Sequence, residues 1–119
     1  LKAEIKEGCS SNILKDYVGH IENTAIYDGN VGLAGHNRGY KNSYFARINE
    51  LQFGDIITYQ TNFFTRNYKV DNIQTVLETD WSLLQETEQN KLTLVTCVAN
   101  KKLQRLCVQA TEIVGNDLK

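Results

Sequence analysis

The 119-residue sequence predicts an all-β domain with only short helices, built from about seven to eight short strands. Three observations carry that expectation. Val, Ile and Thr, which suit a pleated and half-buried surface, occupy 8, 9 and 10 positions. Short apolar or alternating runs recur along the whole chain, separated by turn-forming residues. Proline is absent, so 8 glycines and 12 asparagines supply the turns. Many short strands in a small chain point to a barrel or a sandwich.

Each element follows from local pattern. Residues 2–6, KAEIK, alternate with period two and predict a strand. Ser10, Ser11 and Asn12 offer N-cap oxygens to a short helix over 11–18, with Ile13, Leu14, Tyr17 and Val18 on one face. The apolar runs 24–28 and 31–36 flank Asp28-Gly29-Asn30, which predicts a tight hairpin ending at His36. Phe45, Ile48 and Leu51 recur at three-residue spacing and predict one or two helical turns within 42–51. A strand follows at 56–61, then a long strand element over 64–78 after a turn at Asn62. Residues 79–90 form a polar loop with a helical turn around Trp81 to Leu84. The last two strands are 91–97 and 105–114.

Composition excludes several classes. The length suits one domain, 1–119, and 41% apolar with 23% charged residues excludes a disordered tail. A net charge of −1 lacks the basic excess of a nucleic-acid partner. No apolar run approaches the ~18 residues of a membrane span. The absence of Met leads us to expect a mature or trimmed piece of a longer protein, with any targeting segment out of view. Three cysteines, Cys9, Cys97 and Cys107, are too few for a disulfide scaffold. No CxxC occurs, and His20 and His36 stand apart, so no structural zinc site is expected. The acidic residues Glu22, Asp28 and Glu86 do not assemble a calcium site by spacing, and no cofactor or metal is expected.

Three residues carry the chemistry. Cys97 ends the apolar strand LTLVTC, where a side chain is held firmly yet remains reachable. His36 ends another strand in VGLAGHNRG. Arg105 opens the last strand, and an antiparallel hairpin of 91–97 with 105–114 brings it near the cysteine. A thiol and an imidazole are the minimum nucleophile–base pair for acyl transfer, and a guanidinium beside them supports an oxyanion. Each residue alone has a plainer reading: a packed thiol, a turn histidine, a solvated arginine. His20, after the expected helix, is read as structural. Cys107 is read as a packed free thiol, two residues beyond Arg105 on the same strand face, and Cys9 as a helix-start residue.

Together the three resemble the sortases, transpeptidases that attach surface proteins to the Gram-positive cell wall. The family pattern Thr-Leu-X-Thr-Cys stands intact as Thr93-Leu94-Val95-Thr96-Cys97. Ala34-Gly35-His36 and Arg105 match the family's histidine and arginine, in the same chain order. GHN, ETDWSLL and RLCVQA look most like the class D group of Bacillus- and Clostridium-type bacteria. The resemblance, over about residues 2–114, implies a closed β-barrel with one further strand before this sequence and an N-terminal membrane anchor outside it. It implies catalysis by His36, Cys97 and Arg105, with Ala34, Trp81, Leu83, Leu84 and Thr96 along the groove that holds the peptide. The implied partners are a Leu-Pro-X-Thr-Gly-type sorting signal and a peptidoglycan precursor amine, at the extracytoplasmic membrane face. The competing readings are a cysteine hydrolase with the same Cys/His pair and a non-catalytic β-barrel that binds at the surface.

Overall fold

The computed structural model describes residues 4–9, 17–35, 48–98 and 101–113. Seven strands form: β1 (Ile5–Glu7), β2 (Val18–His20), β3 (Asn30–Ala34), β4 (Ile56–Gln60), β5 (Thr65–Leu77), β6 (Lys91–Val98) and β7 (Lys101–Glu112). Two 3₁₀ turns, Ile48–Glu50 and Ser82–Leu84, are the helical elements among the described residues. The strands make one sheet in the order β1-β2-β3-β6-β7-β5-β4, curled into a half-barrel. β1–β2 and β3–β6 are parallel, and the other neighbours antiparallel.

The all-β expectation holds, and the details shift where partners are remote. The hairpin expected between 24–28 and 31–36 is instead β2 against β3, paired Gly19 to Ala34 and His20 to Leu33. Residues 26–29 bend into β3 as a loop, with Gly29 at φ 104°. A side chain there is strained, so glycine suits the turn. Val18, placed by pattern on a helix, lies in β2; the rest of that helix, 11–16, falls outside the described residues. Of the helical turns expected over 42–51, the part described is Ile48–Glu50. β7 begins at Lys101 rather than 105 because β6 and the far end of β5 both pair with it, down to Gln104 opposite Leu77. β5 is one 13-residue strand with a bulge between Val70 and Asn72. That irregularity is why its alternation reads only in part.

The concave face holds the core. Val31 and Leu33 of β3 sit beside Leu92 and Leu94 of β6, which face Ala110 and Val108 of β7. Tyr68 and Val70 of β5 complete the layer, both fully buried. Between the edge strands β1 and β4 lies a cavity of about 930 Å³, floored by Leu33, Leu92 and Leu94. His20 is buried, and its contacts explain β1. Its Nδ1 lies 2.8 Å from Glu7 Oε1 and its Nε2 lies 2.7 Å from the Ala25 carbonyl. The structural reading of His20 therefore has a mechanism: it ties β1 and the 21–29 loop to β2.

Candidate active site

Position along a strand decides which face a residue joins. On β3, β6 and β7 the positions alternating with the core are Asn30, Gly32 and Ala34; Thr93 and Val95; Gln109, Cys107 and Arg105. These make a convex surface, and the candidate site is built at its upper end.

β6 and β7 are antiparallel, and Cys97 pairs directly with Arg105. The register slips just beyond, between Cys97 and Val98. One further pair, Val98 with Lys101, follows the slip, so Cys97 with Arg105 is the last pair of the regular register. β3 runs parallel to β6, with Ala34 beside Val95 and the Gly35 N–H donating to the Val95 carbonyl at 3.2 Å. Gly35 immediately precedes His36, which lies outside the described residues.

Thr96 occupies the core-facing alternation, not the convex one. It is buried, and its hydroxyl donates to the Gly35 carbonyl at 2.8 Å. This bond ties the residue after β3 to β6. Ala34 is half-buried on the convex side.

Arg105 is placed firmly. Its Nη1 donates to the Gln104 carbonyl at 2.9 Å and its Nη2 to Glu78 Oε2 at 3.1 Å. Glu78 is the residue after β5, held by its N–H on the Leu103 carbonyl at 2.8 Å. Sequence reasoning missed Glu78, because it stands 27 residues from Arg105 and only the β5–β7 pairing joins them.

Cys107 pairs with Val95, one diagonal step from Cys97. Burial, followed by the charge of Asp80, pushes its thiol from 9.0 up to about 11, with Arg105 pulling the other way. A neutral, enclosed thiol is a poor nucleophile, which supports its reading as a packed residue. Cys9 is exposed, and its thiol is also raised by partial burial and by Glu22 and Glu7.

Trp81, Leu83 and Leu84 lie on the turn that overlies the convex face below this site. Trp81 is 58% exposed, while Leu83 and Leu84 are half-buried. A methyl group on Gly32 would come within 2.9 Å of both Leu84 Cδ2 and Thr24 Cγ2, so glycine lets these two side chains sit close against β3. The opposite side of the turn faces the 21–30 loop across a cavity of about 1330 Å³. Glu22, Asp28 and Glu86 line that cavity. Among the described residues no three His, Cys, Asp or Glu side chains group closely enough to hold a metal.

The fold is that of a known class of proteins. The family model of the sortase domain matches residues 1–113, and the chain belongs to the sortase family. It is 30% identical over 115 residues to sortase A of Bacillus anthracis, covering 97% of this chain and 55% of that protein. The crystal structure of sortase C1 from Streptococcus agalactiae superimposes with a TM-score of 0.89 at 28% identity, over 97% of this chain and 63% of that one. A sortase D5 transpeptidase of Clostridium perfringens superimposes with a TM-score of 0.82 at 33% identity, over 92% and 70% of the two chains. The chain thus spans a little over half the length of its Bacillus relative. The relatives carry A, C and D labels at similar identities, so they place the family more firmly than the class.

Proposed function

We propose that this domain is a cysteine transpeptidase that cleaves a Leu-Pro-X-Thr-Gly-type sorting signal after Thr and passes the acyl group to a cell-wall precursor amine. The observation that carries the reading is the direct pairing of Cys97 with Arg105 at the end of an intact Thr-Leu-X-Thr-Cys strand. The Clostridium relative at 33% identity is itself described as a transpeptidase. With GHN, ETDWSLL and RLCVQA it also favours class D.

In this mechanism the Cys97 thiolate attacks the carbonyl carbon of the substrate Thr. Arg105 donates to the developing oxyanion from a guanidinium already oriented by Glu78 and the Gln104 carbonyl. His36, as imidazolium, protonates the leaving amine, and a thioacyl-enzyme remains. The incoming amine loses its proton to His36 and attacks the thioester. At ordinary pKa values roughly 3% of a thiol and 25% of an imidazole hold the required forms at pH 7. Catalysis is accordingly slow unless the site draws the two values together. Ala34 and the Trp81–Leu84 turn wall the groove for the apolar part of the signal. The setting is the extracytoplasmic face of a Gram-positive membrane; no described helix is long and apolar enough to cross a membrane.

The test is mass spectrometry after mixing the protein with a Leu-Pro-X-Thr-Gly peptide, with and without triglycine as acceptor. The expected result is a thioacyl adduct on Cys97, absent in Cys97→Ala, and an amine-dependent product. Release of the acyl group to water at an unchanged rate, with or without triglycine, would establish the hydrolase instead. No adduct and no turnover would leave a binding module.

A further inference from the structure

Beneath the Ser82–Leu84 turn, three polar side chains are buried side by side on β3, β6 and β7. Asn30 is 3% exposed, Thr93 fully enclosed and Gln109 7% exposed. Their protons can be followed one by one. Asn72 Nδ2 donates to Gln109 Oε1 at 2.8 Å. Gln109 Nε2 donates to Thr93 Oγ1 at 3.1 Å and to the Leu83 carbonyl at 3.0 Å. Thr93 Oγ1 donates to Asn30 Oδ1 at 2.7 Å. Asn30 Nδ2 then donates to the carbonyls of Leu83 and Gln85, at 2.8 and 3.0 Å. The chain of donors runs from β5 across three more strands and ends on two main-chain carbonyls of one turn. An apolar layer would bury as well, but without direction; a satisfied polar network fixes one geometry. Gly32 adds a second constraint, since Leu84 and Thr24 share the space that a side chain there would take.

We propose that Asn30, Thr93 and Gln109 are positioning residues that set the height of the Trp81–Leu84 turn and so the selectivity for the apolar residue that opens the sorting signal. This rests on the transpeptidase reading, in which that turn walls the peptide groove. It gives Thr93, the first residue of the Thr-Leu-X-Thr-Cys strand, a task distinct from that of Cys97 four residues on. One strand places both the nucleophile and the wall, about 13 Å apart.

The test uses the near-isosteric variants Thr93→Val and Gln109→Met, the conservative Thr93→Ser, and Gly32→Ala, whose methyl group has Leu84, Thr24 and Ile21 as its nearest neighbours rather than the network. For each, kcat and KM are measured on a Leu-Pro-X-Thr-Gly peptide and on the same peptide with Ala in place of Leu, alongside the rate of Cys97 alkylation by iodoacetamide. The expected result is a KM increase on the order of tenfold for the Leu peptide, with kcat and alkylation near wild type. The preference for Leu over Ala shrinks correspondingly, Thr93→Ser restores it, and Gly32→Ala moves it in the same direction. Unchanged KM and unchanged Leu preference in folded variants overturn the proposal while leaving the transpeptidase intact. Equal losses in kcat and alkylation also overturn it, by placing the network under the nucleophile. A wild-type protein with no turnover overturns both readings.

Discussion

Arg105 shows what a single residue gains from its neighbours. A free arginine side chain samples many rotamers; here two guanidinium nitrogens are already committed, to the Gln104 carbonyl and to Glu78. A planar fork held at two points keeps its remaining N–H donors in one orientation. An ammonium group is compact and mobile and cannot reproduce both contacts. Arg105→Lys is therefore expected to lower kcat by on the order of 10²–10³, the loss typical of one oxyanion donor. KM on the same peptide stays close to wild type, and Arg105→Ala is at least as damaging. Steady-state kinetics at saturating triglycine check this. A Lys variant with wild-type kcat would show that charge alone suffices, and a rise confined to KM would move Arg105 into ground-state binding.

At the scale of elements, Arg66 joins three of them. It lies on β5, with a side chain only 8% exposed, and pairs with Glu112 at the end of β7 at 3.0 Å. It also donates to the Tyr27 carbonyl at 2.9 Å and reaches Asp28 at 3.0 Å, while its guanidinium stacks 3.5 Å from the Tyr27 ring centre. Burial alone would favour losing the charge, but the contacts to Tyr68, Asp28 and Glu112 outweigh it and hold the group protonated. The two acids differ in setting. Asp28 is 83% exposed and Glu112 27%, so removing Asp28 breaks a screened contact worth at most about 1 kcal/mol. Removing the arginine leaves Glu112 half-enclosed without this cationic partner, still held by the Asn90 amide at 2.9 Å, and empties the space beside Tyr27. Arg66→Met is expected to cost about 3 kcal/mol, and Asp28→Ala less than about 1 kcal/mol. Urea unfolding at pH 7 measures both. Equal costs would mean that Arg66 is held by the exposed loop rather than by β7.

At the scale of the whole molecule, a raised thiol pKa becomes a pH dependence of folding. Cys107 titrates near 9.0 when exposed and at about 11 when folded, because burial and then Asp80 disfavour the thiolate. The folded chain thus binds more protons in that window than the unfolded chain. This contribution is fully present below pH 9 and is lost as pH rises through 11, by at most about 2 kcal/mol. Between pH 8 and pH 10 the wild type is expected to lose about 1 kcal/mol more stability than Cys107→Ala. Denaturant unfolding of the two proteins at both pH values gives the difference, from which tyrosines and Cys9 cancel. Parallel curves would mean that Cys107 ionises in the folded state as easily as in the unfolded one.

Much of this was legible along the chain. Alternation in KLTLVTC and in RLCVQATEIV reported two strands correctly, since a period of two needs only neighbouring residues. The turn at 79–90 was legible from its polar composition and its Trp81–Leu84 knot. The intact Thr-Leu-X-Thr-Cys motif, with Ala34-Gly35-His36 before it and Arg105 after it in order, carried the family resemblance. β2 was not legible: three residues, Val18-Gly19-His20, have no period to read and become a strand only because β1 and β3 flank them. The surroundings of Thr96 were not legible for a related reason. Its motif position says nothing of which face it joins, and the register sends its hydroxyl to Gly35.

The sequence by itself determined the strand segments, the turn chemistry and the cysteine motif, because all three are properties of residues close together in the chain. Tertiary structure alone decided which strands became neighbours. The parallel pairing of β3 with β6 closes a loop of some sixty residues, and no local preference encodes it. That pairing sets Gly35 beside the Thr96 hydroxyl and carries Asn30 to Thr93, while β5 on the far side carries Glu78 to Arg105. A buried polar side chain declares its purpose only through its partner. Asn30 reads as a turn residue until the fold encloses it, with Gln109, around the Leu83 carbonyl.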